Sequence, residues 1–217
     1  MIKLYNAALS PFAARVRMAL YFKGINWEDI SPPGGLKSEE YLSINPAGRI
    51  PVLELDDGYQ LPESEVIVEY LEDQYPESTL RPKDAEQNAR ARVLARICDF
   101  HVAEHMRPLF GQLSAKDKDP AVIKASFANI DDGLRYLEAQ LQPGPWAVGT
   151  DMSTADCALV PILFFVEMLG GVFGVTGIFD AHAKVSTYWA AAKAQPLSVK
   201  ILDEIQKGLA EYMNSQS

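Results

Sequence analysis

The spacing of hydrophobic and polar positions changes character once along the chain, near residue 80. Before it, short apolar runs read as strands and alternate with amphipathic stretches that read as helices. After it, apolar residues recur almost throughout at three- and four-residue intervals. Met1 to Tyr5 is a short apolar strand. Ser10-Pro11 supplies an N-cap and an N1 proline, good helix formers run through Lys23, and Gly24 stops the helix, with Phe12, Val16, Ala19, Leu20 and Phe22 as its apolar stripe. Ile25 to Ile30 alternates as a second strand, and a strand-helix-strand run this short predicts a parallel crossover.

Ser31 to Gly35 reads as a loop. Ile50 to Leu55 and Tyr59 to Leu61 flank Asp56-Asp57-Gly58, a hairpin signal. Pro62-Glu63-Ser64 opens a helix whose Val66, Ile67, Tyr70 and Leu71 face inward, until Tyr75-Pro76 ends it. The order β-α-β-loop-β-β-α is that of a thioredoxin-like α/β domain, predicted over residues 1–77. Pro76 to Pro82 reads as a linker, and residues 84–217 as an all-α domain. There Asp84 caps a long helix to about Leu113 with a kink expected at Pro108 and with Val93, Leu94, Ile97, Phe100 and Met106 on one side. A second helix covers Pro120 to Leu141, Ser153-Thr-Ala-Asp156 is a capping box, and further helices cover about 180–194 and 197–213.

Cys157 to Phe179 holds a single charge, Glu167, in 23 residues, a length that could span a bilayer. Pro161 and four glycines interrupt it, so it reads as a buried core helix of about three turns followed by a Gly-rich loop.

Composition narrows the function classes. A chain of 217 residues buries about 70% of its unfolded surface and needs no disulfide or metal staple. Net charge is −9, with 20 Lys+Arg against 29 Asp+Glu, which argues against nucleic-acid and anionic-membrane partners. The two cysteines, Cys98 and Cys157, have no metal or redox spacing, and the histidines at 101, 105 and 182 lack a zinc pattern, so no metal is expected. The start of the chain shows no signal-peptide pattern, and a reduced, cytoplasmic protein is expected.

Three constellations could carry chemistry, and local spacing leaves each with two readings. Ser10 is either a plain N-cap or a hydroxyl at a helix N-terminus, where the macrodipole favours an anion. Pro51 is either a trans strand-entry proline or a cis proline that turns the Ile50 amide and carbonyl outward toward an extended peptide. Glu63-Ser64 is either a cap or a grip for an α-amino-acid head group, the carboxylate taking the ammonium and the helix N-terminus the carboxylate.

Taken in register, Ser10-Pro-Phe-Ala-Ala-Arg-Val-Arg-Met-Ala-Leu, Asn45-Pro-Ala-Gly-Arg-Ile-Pro-Val-Leu, Leu61-Pro-Glu-Ser-Glu-Val-Ile and Ser153-Thr-Ala-Asp156 resemble the cytosolic glutathione S-transferase family over nearly the whole chain, and its serine-type, tau- and zeta-like classes in particular. The resemblance implies that Ser10 donates a hydrogen bond to the glutathione thiolate. It implies that Ile50 pairs with the cysteinyl part, that Glu63 and Ser64 hold the γ-glutamyl part, and that Lys37 and Arg49 lie near the glycine carboxylate. It also implies a hydrophobic substrate pocket supplied mostly by the helical domain, to which Phe12, His105, Met106 and Phe165 are assigned, and a homodimer.

The magnitudes agree with a serine. Lowering a thiol from about 8.5 by about two pH units needs roughly 2.7 kcal/mol. A hydrogen bond to a charged acceptor contributes about 1.5 to 3 kcal/mol, and a helix N-terminus adds up to about 1. Omega-type relatives carry cysteine where this chain has Ser10, and serine cannot form a mixed disulfide, which points away from thiol exchange. The expectation is therefore conjugation of glutathione to a hydrophobic electrophile, including ether cleavage or dehalogenation. The alternatives are a maleylacetoacetate-type isomerase, whose Ser-Ser/Cys cluster is missing around Leu9-Ser10-Pro11, and a non-enzymatic interaction module of the same fold.

Overall fold

The computed structural model describes residues 2–216, which pack as two units, one up to Leu80 joined by the segment from Pro196, the other Arg81–Gln195. Met1, the expected first strand residue, lies outside the described residues. The first unit is built on β1 (Ile2–Tyr5), α1 (Pro11–Lys23), β2 (Trp27–Ile30), α2 (Glu39–Ile44), β3 (Val52–Glu54), β4 (Gln60–Pro62) and α3 (Ser64–Gln74). The sheet order is β2-β1-β3-β4, with β2 parallel to β1 and the other neighbours antiparallel. Ser10 caps α1 by accepting from the Ala13 N–H at 3.3 Å, and Gly24 closes it in the left-handed region at φ 65°, donating to the Leu20 and Tyr21 carbonyls.

Of the apolar stripe expected on α1, Val16, Ala19 and Leu20 are buried, but burial is not confined to a stripe. Every residue from Ala13 to Leu20 is buried on all sides of the helix, whereas Phe12 and Phe22 at its ends are over a third exposed. The cause is that α1 is enclosed by other elements of its unit, including α3 and the C-terminal helix. Helix α2 was not read from the sequence. It is short, but Ser38 caps it by accepting from the Tyr41 N–H at 3.0 Å, and Glu39 and Glu40 suit its N-terminus. It delivers Tyr41, fully buried, to a cluster with Tyr5 and Val52.

The second unit holds α4 (Ala85–Ile97), a π-helical turn at Cys98–Ala103, α5 (Glu104–Ser114), α6 (Pro120–Gln140), α7 (Thr154–Phe173) and α8 (Ala183–Ala192). The helix expected to run unbroken from Asp84 toward Leu113 is thus interrupted before Pro108, which sits inside α5. A π turn inserts an extra residue and rotates the helix beyond it. Phe100, expected on the inward stripe, is 62% exposed. The turn is tied to α6 by close approach: a Cβ on Gly133 would lie 2.0 Å from the His101 carbonyl oxygen, so only glycine fits there.

Helix α7 starts at Thr154 and runs about five turns rather than three, ending at Gly174 with φ 74°. It is long and apolar enough to cross a membrane, but two-thirds of that stretch is buried within the fold. Asp156 anchors its start: Oδ2 accepts from the Ser153 N–H at 2.8 Å and hydroxyl at 2.9 Å, and Oδ1 from the Ala147 N–H and the Tyr188 hydroxyl, both at 2.9 Å. Burial pushes its pKa up, and these four donors oppose the rise.

The last helix, α9 (Pro196–Gln216), belongs to the first unit, which shortens the helical domain expected over 84–217. Its polar side chains explain the placement: Glu204 accepts from the Tyr21 hydroxyl at 2.7 Å, and Lys200 Nζ lies 3.4 Å from the centroid of the Tyr21 ring. Burial first, then the hydrogen bond to Glu204, push the Tyr21 phenol up to about 12.

The segment read as a linker is held by a buried ion pair. Lys23 Nζ meets Glu72 Oε1 at 2.8 Å with both side chains almost wholly buried. Lys23 also donates to the carbonyls of Tyr75 at 2.8 Å and Ser78 at 2.6 Å, and Glu72 accepts from the Leu80 N–H at 3.0 Å. Removing one partner leaves an uncompensated buried charge. Glu72→Ala is expected to cost about 3 to 5 kcal/mol in urea unfolding, and the pair Lys23→Met with Glu72→Leu clearly less.

Candidate functional site

One row of the sheet places the three constellations together. Tyr5 pairs with Ile30 of β2 and Val52 of β3, and Val52 pairs with Pro62 of β4. The carboxyl ends of β1, β2 and β4 and the amino end of β3 therefore share one end of the sheet. From that end depart the loop to Ser10, the loop to Lys37, the Ile50-Pro51 entry to β3 and the Glu63-Ser64 entry to α3. Ligands of α/β sheets bind at such ends.

Ser10 is buried, and its oxygen accepts the Ala13 N–H while its hydroxyl hydrogen has no acceptor among the described residues. One donor is thus available at the N-terminus of α1.

The Ile50-Pro51 bond is cis. Neither the amide nor the carbonyl of Ile50 is hydrogen-bonded to another backbone group among the described residues. The turn before it is fixed by groups whose part in the site was not read from the sequence: the Arg49 carbonyl accepts from the Tyr41 hydroxyl at 2.7 Å and from Asn45 Nδ2 at 2.8 Å. Asn45 opens one of the four motifs, but only the fold shows what its side chain holds. Gly48 has φ +58°, and a Cβ there would lie 2.6 Å from the Leu36 carbonyl oxygen. That close approach brings Lys37 to the turn, its Nζ donating to the Ala47 carbonyl at 3.3 Å. Arg49 is exposed and has no carboxylate partner among the described residues.

Glu63 has φ 69° and ψ 106°, the one non-glycine residue with positive φ among those described. Such a conformation costs on the order of 1 to 3 kcal/mol and clusters at functional sites. Helix α3 has no side-chain cap, so the amides of its first turn, beginning at buried Ser64, remain available to an anion. Arg15 on α1, itself buried, reaches Glu65 in that turn at 3.3 Å.

The residues assigned to a hydrophobic pocket divide. Met106 and Phe165 are 1% exposed and belong to the core of the helical unit, Phe165 packing edge-on against Phe110 and Phe164. Their burial is the default for Met and Phe side chains in a core. His105 is half-buried and Phe12 partly exposed, with the Arg15 guanidinium 5.6 Å from the Phe12 centroid. The π turn separates His101 from His105, and His101 packs instead against Tyr136 at 5.4 Å. Among the described residues no group of three or more His, Cys, Asp or Glu is placed to hold a metal ion.

A small mixed sheet flanked by helices, in the order β-α-β-α-β-β-α, followed by a helical unit, defines a thioredoxin-like fold with a helical second domain. Residues 4–79 match the glutathione S-transferase N-terminal domain and residues 97–196 its C-terminal domain, and the chain belongs to the glutathione S-transferase family. It is 32% identical to a maleylacetoacetate isomerase of Pseudomonas aeruginosa over 90% of this chain and 92% of that one. It is 36% identical to a maleylpyruvate isomerase of a Ralstonia species over 74% and 80%. A glutathione S-transferase of Methylobacillus flagellatus KT solved with GSH bound superposes with a TM-score of 0.77 at 26% identity, covering 93% of this chain and 98% of that one.

Glu63→Gly removes the positive-φ strain at some cost in unfolded-chain entropy. It is expected to leave the protein as stable or about 1 kcal/mol more stable in thermal unfolding; a marked loss of stability would show that the Glu63 backbone is unstrained.

Proposed function

We propose that this chain is a glutathione-dependent cis-trans isomerase acting on a maleyl-type substrate, a cis-configured unsaturated carboxylic acid of the maleylacetoacetate or maleylpyruvate kind. The reading rests on the two isomerases that the chain resembles over most of its length, and it replaces conjugation as the first choice. The observation that carries it is the buried Ser10 hydroxyl, its proton unspent, at the sheet end shared with Ile50-Pro51 and Glu63-Ser64.

The residues suit glutathione. The unpaired Ile50 backbone offers an extended partner for its cysteinyl part, Glu63 and the uncapped turn at Ser64 an amino-acid grip, and Lys37 and Arg49 positive charge for its glycine carboxylate. When bound, glutathione supplies a thiol nucleophile that can add to and leave a double bond. Ser10 holds a hydrogen bond toward that sulfur and favours its ionised form. Isomerisation rearranges one substrate with no net loss of a group, because the thiol that adds to the double bond leaves it again.

Conjugation remains the second reading, favoured by the single hydroxyl of Leu9-Ser10-Pro11-Phe12, with no neighbouring serine or cysteine. Cys98 and Cys157 are buried and form no disulfide, which supports a reducing, cytoplasmic location. A homodimer belongs to the same reading, carried over from the family.

Ser10→Ala is expected to lower kcat/KM for maleylpyruvate isomerisation about 10- to 100-fold, the worth of one hydrogen bond to a charged acceptor. An unchanged rate would remove Ser10 from the chemistry. Turnover of a chlorinated aromatic without isomerisation would select conjugation, and failure to bind immobilised glutathione would select the non-enzymatic module. Light scattering is expected to give twice 24.0 kDa; the single-chain mass would overturn the homodimer.

A further inference from the structure

The loop between β1 and α1 delivers Ser10, and a buried guanidinium with no part in the proposed glutathione contacts holds it. Arg17 is 2% exposed. Its Nη2 donates to the Ala8 carbonyl at 2.8 Å and its Nη1 to Asn6 Oδ1 at 3.4 Å. Its Nε faces Glu204 Oε2 at 3.4 Å, an ion-pair contact rather than an aligned hydrogen bond. Glu204 belongs to α9, and its other oxygen takes the Tyr21 hydroxyl. Asn6 is bound in turn to β2, its N–H donating to the Ile30 carbonyl at 2.9 Å and its Nδ2 to Asp29 Oδ1 at 3.0 Å.

The backbone of α9 constrains the same loop. A Cβ on Gly208 would lie 2.7 Å from the Leu9 nitrogen and 2.8 Å from the Ala8 Cβ. Two elements therefore locate residues 7–9: the Arg17 fork, through Ala8 and Asn6, and the close approach of α9. Ser10 comes directly after, its N–H donating to the Ala7 carbonyl at 2.9 Å and its oxygen bound to Ala13 N–H, so the direction of the remaining hydroxyl hydrogen depends on where this backbone sits.

We propose that Arg17, braced by Glu204 of the C-terminal helix, is a positioning residue that sets the aim of the Ser10 hydroxyl and so couples thiol activation to the seating of α9 on the loop. The proposal rests on Ser10 being the group that favours the ionised thiol. Arginine is the suited residue because its planar fork reaches two acceptors and a carboxylate at once, whereas a lysine presents one point charge.

The test compares Arg17→Lys, Glu204→Gln and Gly208→Ala with Ser10→Ala. Three quantities are read: thermal stability, glutathione affinity by calorimetry, and the ultraviolet absorbance of the bound thiolate titrated against pH. Arg17→Lys and Gly208→Ala are expected to raise the titration midpoint by about one pH unit, which is about tenfold less thiolate at neutral pH. They should lower kcat for maleylpyruvate about tenfold while KM for glutathione stays within about twofold; Glu204→Gln moves the same quantities less. A role confined to stability would lower the melting temperature and leave the midpoint and kcat in place, and that result overturns the proposal. If Arg17→Lys does not fold, the two α9 variants decide. A Ser10→Ala midpoint equal to that of the parent overturns the Ser10 reading and this inference together; a raised Ser10→Ala midpoint with unmoved Arg17 and α9 variants overturns this inference alone.

Discussion

The register that aligns Ile30, Tyr5, Val52 and Pro62 across four strands determines which chain segments can meet a common ligand. Because β3 runs against β1 and β4 runs against β3, a segment entering one strand sits beside segments leaving the next. A slip of one residue in β3 would turn buried Val52 and Leu53 to opposite faces and carry Ile50-Pro51 out of line with Ser10. Tyr5, Tyr41 and Val52 cluster at this row, so the packing that fixes the register also fixes the turn before β3, through the Tyr41 hydroxyl on the Arg49 carbonyl.

Helix α1 joins that sheet to the rest of its unit, and its burial resolves an apparent conflict of charge. The first 80 residues hold six of the 20 Lys+Arg but 13 of the 29 Asp+Glu, an odd balance for a unit proposed to bind an anionic peptide. Three of the six cations, Arg15, Arg17 and Lys23, lie on α1 and are committed to Glu65, Glu204 and Glu72, while Lys3 pairs with Glu54. Lys37 and Arg49 are the pair without a carboxylate partner among the described residues, and both border the cis-proline turn. Net charge thus says little about the ligand, because four of the six cations are committed to carboxylates within the fold.

Much of this was legible in the sequence. The N-cap at Ser10, the stop at Gly24, the hairpin at Asp57-Gly58 and the capping box at Ser153 depend on contacts within a few residues, and each was recovered with its neighbours. What could not be read depends on distant partners. Helix α2 has too few residues to show a period, and it is held by Tyr41 packing on Tyr5. Residues 13–20 of α1 carry no clean stripe because they are enclosed on every side. The placement of α9 is set by Glu204 and Gly208, whose partners lie almost the full chain length away. Motif spacing singled out Ser10, Ile50 and Glu63-Ser64, which the sheet register brings to one end, whereas Met106 and Phe165, named without a motif, are buried.

The π turn at Cys98–Ala103 bears on how this chain tolerates changes of length. It holds one residue more than an α-helical path would need, and Gly133 is shaped to receive the bulge. Deleting a single residue there would let an ordinary helix continue and leave the residues beyond it on the faces they now hold, whereas a deletion from a regular stretch of α-helix turns everything beyond it by about 100° about the axis. His105 and the buried Met106 and Leu109 would keep their places after a deletion within the turn and would lose them after one just outside it. The middle of the longest helical run can therefore lose one residue without turning its inward side chains away, and a relative lacking that residue needs to refit only the surface of α6 around Gly133.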